Sequence, residues 1–346
     1  MSDLPQRSSQ AVDPVALARE LIDIPSVTGG ELEVALFLES FLESHGFGCR
    51  RQEVADDRFN LYATAGGKPR VLLCSHIDTV PPFFASSEDD DRISGRGACD
   101  TKGIIAAMLA AGLSLKAGGV TDFAYLLVVG EETDSLGAKM ANDEFSGLGA
   151  EFVVVGEPTE SKFANASKGA LTCTVRFAGV AAHSAYPERG DSAIMKLVAA
   201  VSEIASADWG SDPVLGKATV NVGVIRGGVK PNIIAADAEA EMIFRTVSDP
   251  QTVSQKLNAI VGKFDGEIIR SHGNPPMKML VPAGRPSVVV AFNTDVPHLT
   301  RLGVPLLFGP GSILEAHSAT EFISKRELLD AVDVYRDLVK TLLERG

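Results

Sequence analysis

Four short runs constrain the fold most: Val71–Ser75 (VLLCS), Phe123–Val129 (FAYLLVV), Phe152–Val155 (FVVV) and Pro305–Phe308 (PLLF). Each is apolar without alternation, so each reads as a strand covered on both faces. Helical patterns separate and flank them. Asp13-Pro14 supplies a cap and a first helical position, with Leu17, Leu21 and Ile22 facing inward. Glu31 to His45 places Val34, Phe37, Leu38, Phe41 and Leu42 on one face, and Gly46 ends it. Thr101–Leu115 and Glu327–Glu344 read as further helices, and short strands are expected near Gly48–Glu53 and Leu61–Ala65. Buried strands alternating with helices predict an α/β domain with a mostly parallel central sheet.

The pattern changes after about Ser167. Ala170–Ala178 alternates like a half-exposed strand, Ser192–Ile204 is amphipathic, and Thr219–Ile225 and Ile234–Arg245 read as strands. Gln251–Val261 is a helix and Glu267–Ile269 a last strand. The order β-α-β-β-α-β is the split βαβ, or ferredoxin-like, arrangement. A chain of 346 residues favours two domains. The expected organisation is therefore an α/β domain over 1–167 and 276–346, interrupted by a smaller domain over 168–275. The polar start, MSDLPQRSSQ, lacks the apolar core of a signal peptide, so 1–10 reads as a disordered tail.

Charge and composition exclude several partners. Acidic residues outnumber basic ones, 45 to 32, for a net charge of -13. Such a surface repels phosphate backbones, so nucleic acid is not an expected partner. No stretch approaches the ~20 apolar residues that span a bilayer. Cys49, Cys74, Cys99 and Cys173 are scattered with no CxxC pair, as expected of a reducing cytoplasm.

The apolar runs are followed by chemistry-bearing residues. His76 and Asp78 follow VLLCS, Glu131 and Glu132 follow FAYLLVVG, Glu157 follows FVVVG, and His317 comes soon after PLLFGPG. Asp100 sits in SGRGACDTKG, just before a helix. In open α/β sheets ligands gather beyond the carboxyl ends of the strands. Each residue has an ordinary alternative: a hydrogen-bonded loop histidine, a solvated Glu131-Glu132 pair, an Asp100 that only caps its helix. Convergence of five carboxylates is costly, since like charges ~4 Å apart repel by about 4 kcal/mol at an effective dielectric of 20. Cations would offset that charge, and histidines among the acids suit zinc. Phosphate-loop and nucleophile-elbow readings fail. Asp100 occupies the third glycine position of a GxGxxG, and neither GxxxxGK[ST] nor GxSxG occurs.

The ordered set HIDTVP, GRGACDTKG, GEET, GEPT and GPGSILEAH resembles the co-catalytic zinc amidohydrolases: acetylornithine deacetylase, succinyl-diaminopimelate desuccinylase, aminoacylase and glutamate carboxypeptidase. The resemblance runs from about Leu17 to the end. HSAYPERGDSAI, VNVGVIRGG and the form of GPGSILEAH are most similar to acetylornithine deacetylase. It implies a zinc-binding α/β catalytic domain with an inserted dimerisation or lid domain, and two Zn²⁺ for which Co²⁺ would substitute. His76 and Glu157 would hold one ion, Glu132 and His317 the other, and Asp100 would bridge them. Asp78 would fix the imidazole of His76, and Glu131 would be the general base. His183, in AAHSAYP, would stabilise the oxyanion from the partner subunit of a homodimer formed through the inserted domain.

Asn232 and Arg245 match positions that bind the substrate α-carboxylate, and Gly311 lies where backbone amides would meet the substrate. The implied substrate is a small N-acyl amino acid. N-acetylornithine, cleaved to ornithine and acetate in cytoplasmic arginine biosynthesis, is the first expectation. Acetyl-lysine deacetylase, succinyl-diaminopimelate desuccinylase, a dipeptidase and a non-catalytic binding protein on the same fold are the alternatives. One departure stands out: 276–293 is short for the helix that usually precedes TDVPHL and borders the side-chain pocket.

Overall fold

The computed structural model describes residues 12–345, so the tail expected over 1–10 lies outside the described residues. Contacts divide the chain into two units. The first comprises the described chain up to Asn165, Met279–Val288 and the chain from Thr294 onward; the second comprises Ala166–Lys278 and Val289–Asn293.

In the first unit the sheet runs Gly48–Ala55, Arg58–Thr64, Phe123–Val128, Val71–His76, Phe152–Val155, Val304–Leu307. The last four strands are mutually parallel, and an antiparallel hairpin forms one edge. Val71–His76 and Phe123–Val128 are buried at every position, as unbroken apolar runs require. Because the four strands share a direction, His76, the Gly130 turn, Glu157 and Gly309 all follow carboxyl ends of the same sheet.

The helices follow their local signals. Helix Pro14–Asp23 begins where the Asp13 carboxylate accepts the Val15 amide at 2.9 Å, and it buries Leu17, Leu21 and Ile22. Helix Lys102–Ala117 is buried on nearly all sides and packs against Pro14–Asp23 and the closing helix Lys325–Leu343. Tyr335 of that last helix donates to the Phe308 carbonyl at 2.7 Å, which fixes the end of strand Val304–Leu307.

Gly112 marks the tightest approach of helix to sheet. A Cβ there would stand 1.7 Å from Oη of Tyr125, a fully buried side chain that donates to the Met108 carbonyl at 3.1 Å. Gly112→Ala should therefore reverse the usual helical gain of about 1 kcal/mol. Overpacking should destabilise the protein by about 1–3 kcal/mol, read from urea unfolding midpoints; an unchanged midpoint would contradict the packing.

The second unit is a four-stranded antiparallel sheet ordered Thr219–Gly227, Asp237–Thr246, Gly169–Ala178, Gly266–Asn274. Helices Ala193–Ser206 and Pro250–Gly262 pack on it, giving the β-α-β-β-α-β order of a ferredoxin-like fold. Leu197, Ile204, Val253 and Leu257 meet Val175, Phe177, Met242 and Phe244 in its core. The last strand extends well past the expected Glu267–Ile269, because its outer half, RSHGN, pairs by backbone and carries no apolar pattern. Thr219–Gly227 lies at a sheet edge and is bulged between Val222 and Val224. Beside it, helix Ala193–Ser206 leaves Met195 and Val198 exposed. Between Asn274 and Val296 the described chain forms two short strands, Met277–Lys278 and Ser287–Val290, and no helix.

Candidate active site

His76 ends its strand fully buried, and its Nδ1 lies 3.0 Å from the Asp78 carbonyl. A proton on Nδ1 satisfies that contact, so Nε2 is the nitrogen that would meet a cation once its own proton is displaced. Nε2 faces Asp100 Oδ1 at 3.0 Å. The other oxygen of Asp100, Oδ2, lies 3.3 Å from His317 Nε2, which also stands 3.0 Å from Glu132. Asp100 thus gives one oxygen to each histidine. It does not act as a helix cap: Thr101 precedes the helix and makes no side-chain capping bond.

Two groups of donors result, His76 with Asp100 and Glu157, and Asp100 with Glu132 and His317; within each, one atom per residue lies within 4.8 Å of the others. Donors on one tetrahedral zinc at ~2.0–2.1 Å stand roughly 3.4 Å apart, so the spacing fits an ion in each group. Among the described residues no lysine or arginine pairs with Asp100, Glu132 or Glu157. The donor chemistry, mixed nitrogen and oxygen with surplus negative charge, fits two divalent cations sharing Asp100.

Asp78 does more than orient an imidazole. Its Oδ1 lies 3.5 Å from His76 Nδ1, farther than the carbonyl of the same residue. Its oxygens instead accept the amides of Gly130, Glu131 and Glu132 at 3.0, 3.1 and 3.2 Å, and the Thr28 hydroxyl at 2.7 Å. One buried carboxylate therefore fixes the His76 strand end and the turn carrying both glutamates. Gly130, at φ +80°, permits that turn.

Burial sets the protonation of these groups. It pushes the Glu131 and Glu157 carboxyls well above the usual range, against the opposing pull of His76. Burial alone would lower His76, but Asp100 and Asp78 outweigh it and raise the imidazole well above its ordinary value. Asp100 and Glu132 raise His317 to about 10, while Asp100 itself is lowered because its two histidine partners outweigh its desolvation. Without cations, His76, His317, Glu131 and Glu157 hold their protons more tightly than usual. Metal binding must displace them, so apparent affinity rises with pH.

The raised groups have one sign. Each contributes stability to the metal-free fold below its unfolded pKa, and loses it as pH climbs toward the folded value. The lowered Asp78 and Asp100 have delivered theirs once pH exceeds about 5. The site groups therefore pull the Tm of chelator-treated protein down between pH 5.5 and 8, against the opposite pull of Lys102 and His298, which burial lowers to about 7 and about 4. Zinc or cobalt should raise Tm on the order of 5 °C more at pH 8 than at pH 5.5; a metal-induced rise no larger at pH 8 would refute the electrostatic picture.

Asp295 joins the site without having been marked in the sequence beyond its place in TDVPHL. It is buried, its Oδ1 has no hydrogen-bond partner among the described residues, and burial pushes it up to about 6. Glu321 and Arg96 also lie buried beside Asp100. No local pattern distinguishes either from a surface charge. Gly311, at φ +83°, is buried against the Cys99 side chain, and its carbonyl accepts the Glu160 amide at 2.8 Å.

The remaining predicted residues lie in the second unit. His183 is exposed and bridges Ile233, and the Ser184 amide donates to the Asn232 carbonyl at 3.1 Å, so His183 and Asn232 are neighbours. Nδ1 of His183 accepts the Ala185 amide at 3.1 Å, which leaves Nε2 as the protonated donor of the neutral ring. Arg245 is half-buried on strand Asp237–Thr246 and makes no ion pair among the described residues. Burial lowers its guanidinium from its ordinary value.

Residues 165–269 match the peptidase dimerisation domain. The chain is 36% identical over 336 residues to a Schizosaccharomyces pombe protein described as a peptidase M20 domain-containing protein, covering 94% of this chain and 84% of the relative. It is 34% identical over 383 aligned positions to a probable carboxypeptidase of Emericella nidulans, covering 96% and 90%. Among solved structures it resembles an M20 family metallo-carboxypeptidase from Sulfolobus solfataricus, with a TM-score of 0.79 at 18% identity over 96% of this chain and 99% of that one.

Proposed function

The chain belongs to the M20 peptidase family, and we propose that it is a metal-dependent hydrolase of amide bonds whose nitrogen belongs to an amino acid with a free α-carboxylate. The observation that carries this reading is the Asp100 carboxylate, which offers one oxygen to each histidine group. His76, Asp100 and Glu157 would hold one divalent cation, and Asp100, Glu132 and His317 the other. When bound, such a pair supplies Lewis acidity for the scissile carbonyl and lowers the pKa of water.

The protein's own groups do the rest. Glu131, next to Glu132 on the turn fixed by Asp78, accepts the proton of the attacking water and returns it to the departing amine. Burial raises this carboxyl and bound cations would draw it back down, so the same group can take a proton and return it. His183 donates through Nε2 to the developing oxyanion from the partner subunit. Arg245, half-buried and unpaired among the described residues, receives the α-carboxylate, with Asn232 beside His183. The relatives' names favour peptides with a free C-terminus over N-acetylornithine alone, so the deacetylase reading becomes one member of a wider class.

A panel tests this: N-acetylornithine, N-acetyl-lysine, succinyl-diaminopimelate, dipeptides and N-acyl amino acids, each with its α-carboxylate free or methylated. Turnover of at least one free acid, lost on methylation, is expected. Equal turnover of the methyl ester would refute the role of the carboxylate, and no turnover with two bound metals would favour a binding protein.

We further assign dimerisation to the edge strand Thr219–Gly227 and the exposed Met195 and Val198. Met195→Asp/Val198→Asp should sediment as a monomer, and its kcat should fall about 10²–10³-fold for want of the partner's oxyanion donor. A fully active monomer would remove His183 from the mechanism.

A further inference from the structure

Glu321 lies four residues beyond His317 and is wholly buried. Its Oε1 accepts the backbone amides of Cys99 and Asp100, both at 3.2 Å. Its Oε2 takes Nη1 of Arg96 at 2.6 Å. Arg96 is itself 2% exposed, donates from Nε to the Pro82 carbonyl at 3.2 Å, and lies over the Phe84 ring at 5.1 Å. The Glu321 carbonyl accepts the Gly95 amide at 3.0 Å, and Phe322–Ser324 then pairs with Arg92–Ser94. Glu321 is thus fastened by backbone and side chain to the 95–100 loop.

We propose that the Arg96–Glu321 pair is a positioning device that sets the separation between Asp100 and His317, and so the geometry of the second cation position; the proposal rests on the two-cation reading above. His317 stands at φ +61°, a left-handed conformation uncommon outside glycine, so the direction of its imidazole depends on how the segment around it is held. Glu321 anchors the segment just beyond it, on the same loop whose Asp100 must meet His317 at 3.3 Å. A buried ion pair adds little stability over apolar groups of equal volume, whereas fixing a register is its best-attested use. The pair fixes two chain segments, not one: the acid comes from the His317 segment, and both the amides and the guanidinium come from the Asp100 loop.

The test titrates metal-free wild type, Glu321→Gln and Arg96→Met/Glu321→Leu with Co²⁺, followed by calorimetry and visible absorption, with circular-dichroism melting alongside. Wild type should take two equivalents; uptake of none would refute the cation reading itself, and this proposal with it. Glu321→Gln should keep one tight equivalent, bind the second about 10–100-fold more weakly, and change the cobalt spectrum. The double variant should regain thermal stability without regaining the second equivalent. Wild-type uptake and spectrum in Glu321→Gln, or full recovery in the double variant, would overturn the proposal while leaving the metal centre standing. If neither variant folds, the pair is a folding element and the proposal falls.

Discussion

Glu131→Gln should retain two bound cations and lose hydrolysis by about 10²–10⁴-fold in kcat, the range that a positioned acid–base group supplies. The amide is nearly isosteric and neutral, so the turn held by Asp78 keeps its backbone bonds to Gly130, Glu131 and Glu132. It cannot shuttle a proton. The loss should appear in kcat with little change in KM, because the group acts on the attacking water and the leaving amine and does not grip the substrate. Metal analysis and steady-state kinetics on the best substrate of the panel decide it; a kcat within tenfold of wild type would remove Glu131 from the proton path.

Asp100→Ala should be more damaging and of a different kind. Both donor groups pass through this one carboxylate, Oδ1 on the His76 side and Oδ2 on the His317 side. Its removal leaves two donors in each group, too few for a closed site. Neither equivalent should then remain tightly bound, and activity should fall to the background. Asp78→Asn makes the instructive contrast, since it removes no donor from either group and loosens the turn instead. Mass-spectrometric metal content after dialysis separates them: near zero for Asp100→Ala, substantial for Asp78→Asn. Two retained equivalents in Asp100→Ala would refute the shared carboxylate.

The legible parts of the chain were those whose physics is local. VLLCS and FAYLLVV announce strands covered on both faces because no polar position interrupts them. Asp13-Pro14 announces a helix start because cap and fixed φ are both properties of neighbours in sequence. Residues placed just beyond parallel strands must share one end of the sheet, so the sequence order alone groups His76, Glu131 and Glu157. The illegible parts depend on partners far along the chain. Asp78 gathers amides more than fifty residues away, and that work is invisible in HIDTVP. Glu321 and Arg96 are 225 residues apart and look like surface charges until the fold buries them together. The outer half of Gly266–Asn274 carries no apolar rhythm, so only its backbone ladder reveals it as a strand.

The open border of the second unit's sheet has a bearing on solubility. Among the described residues no strand covers the outer amides and carbonyls of Thr219–Gly227, and such a row is a template for lateral stacking. The kink at Val222–Val224 breaks that row, and Arg226 plants a cation near its end. Two such borders meeting about a twofold axis would cover each other and leave Gly266–Asn274 as the remaining edge of each sheet. Truncations or fusions that disturb this stretch should therefore be watched for fibrous precipitate as well as for lost turnover.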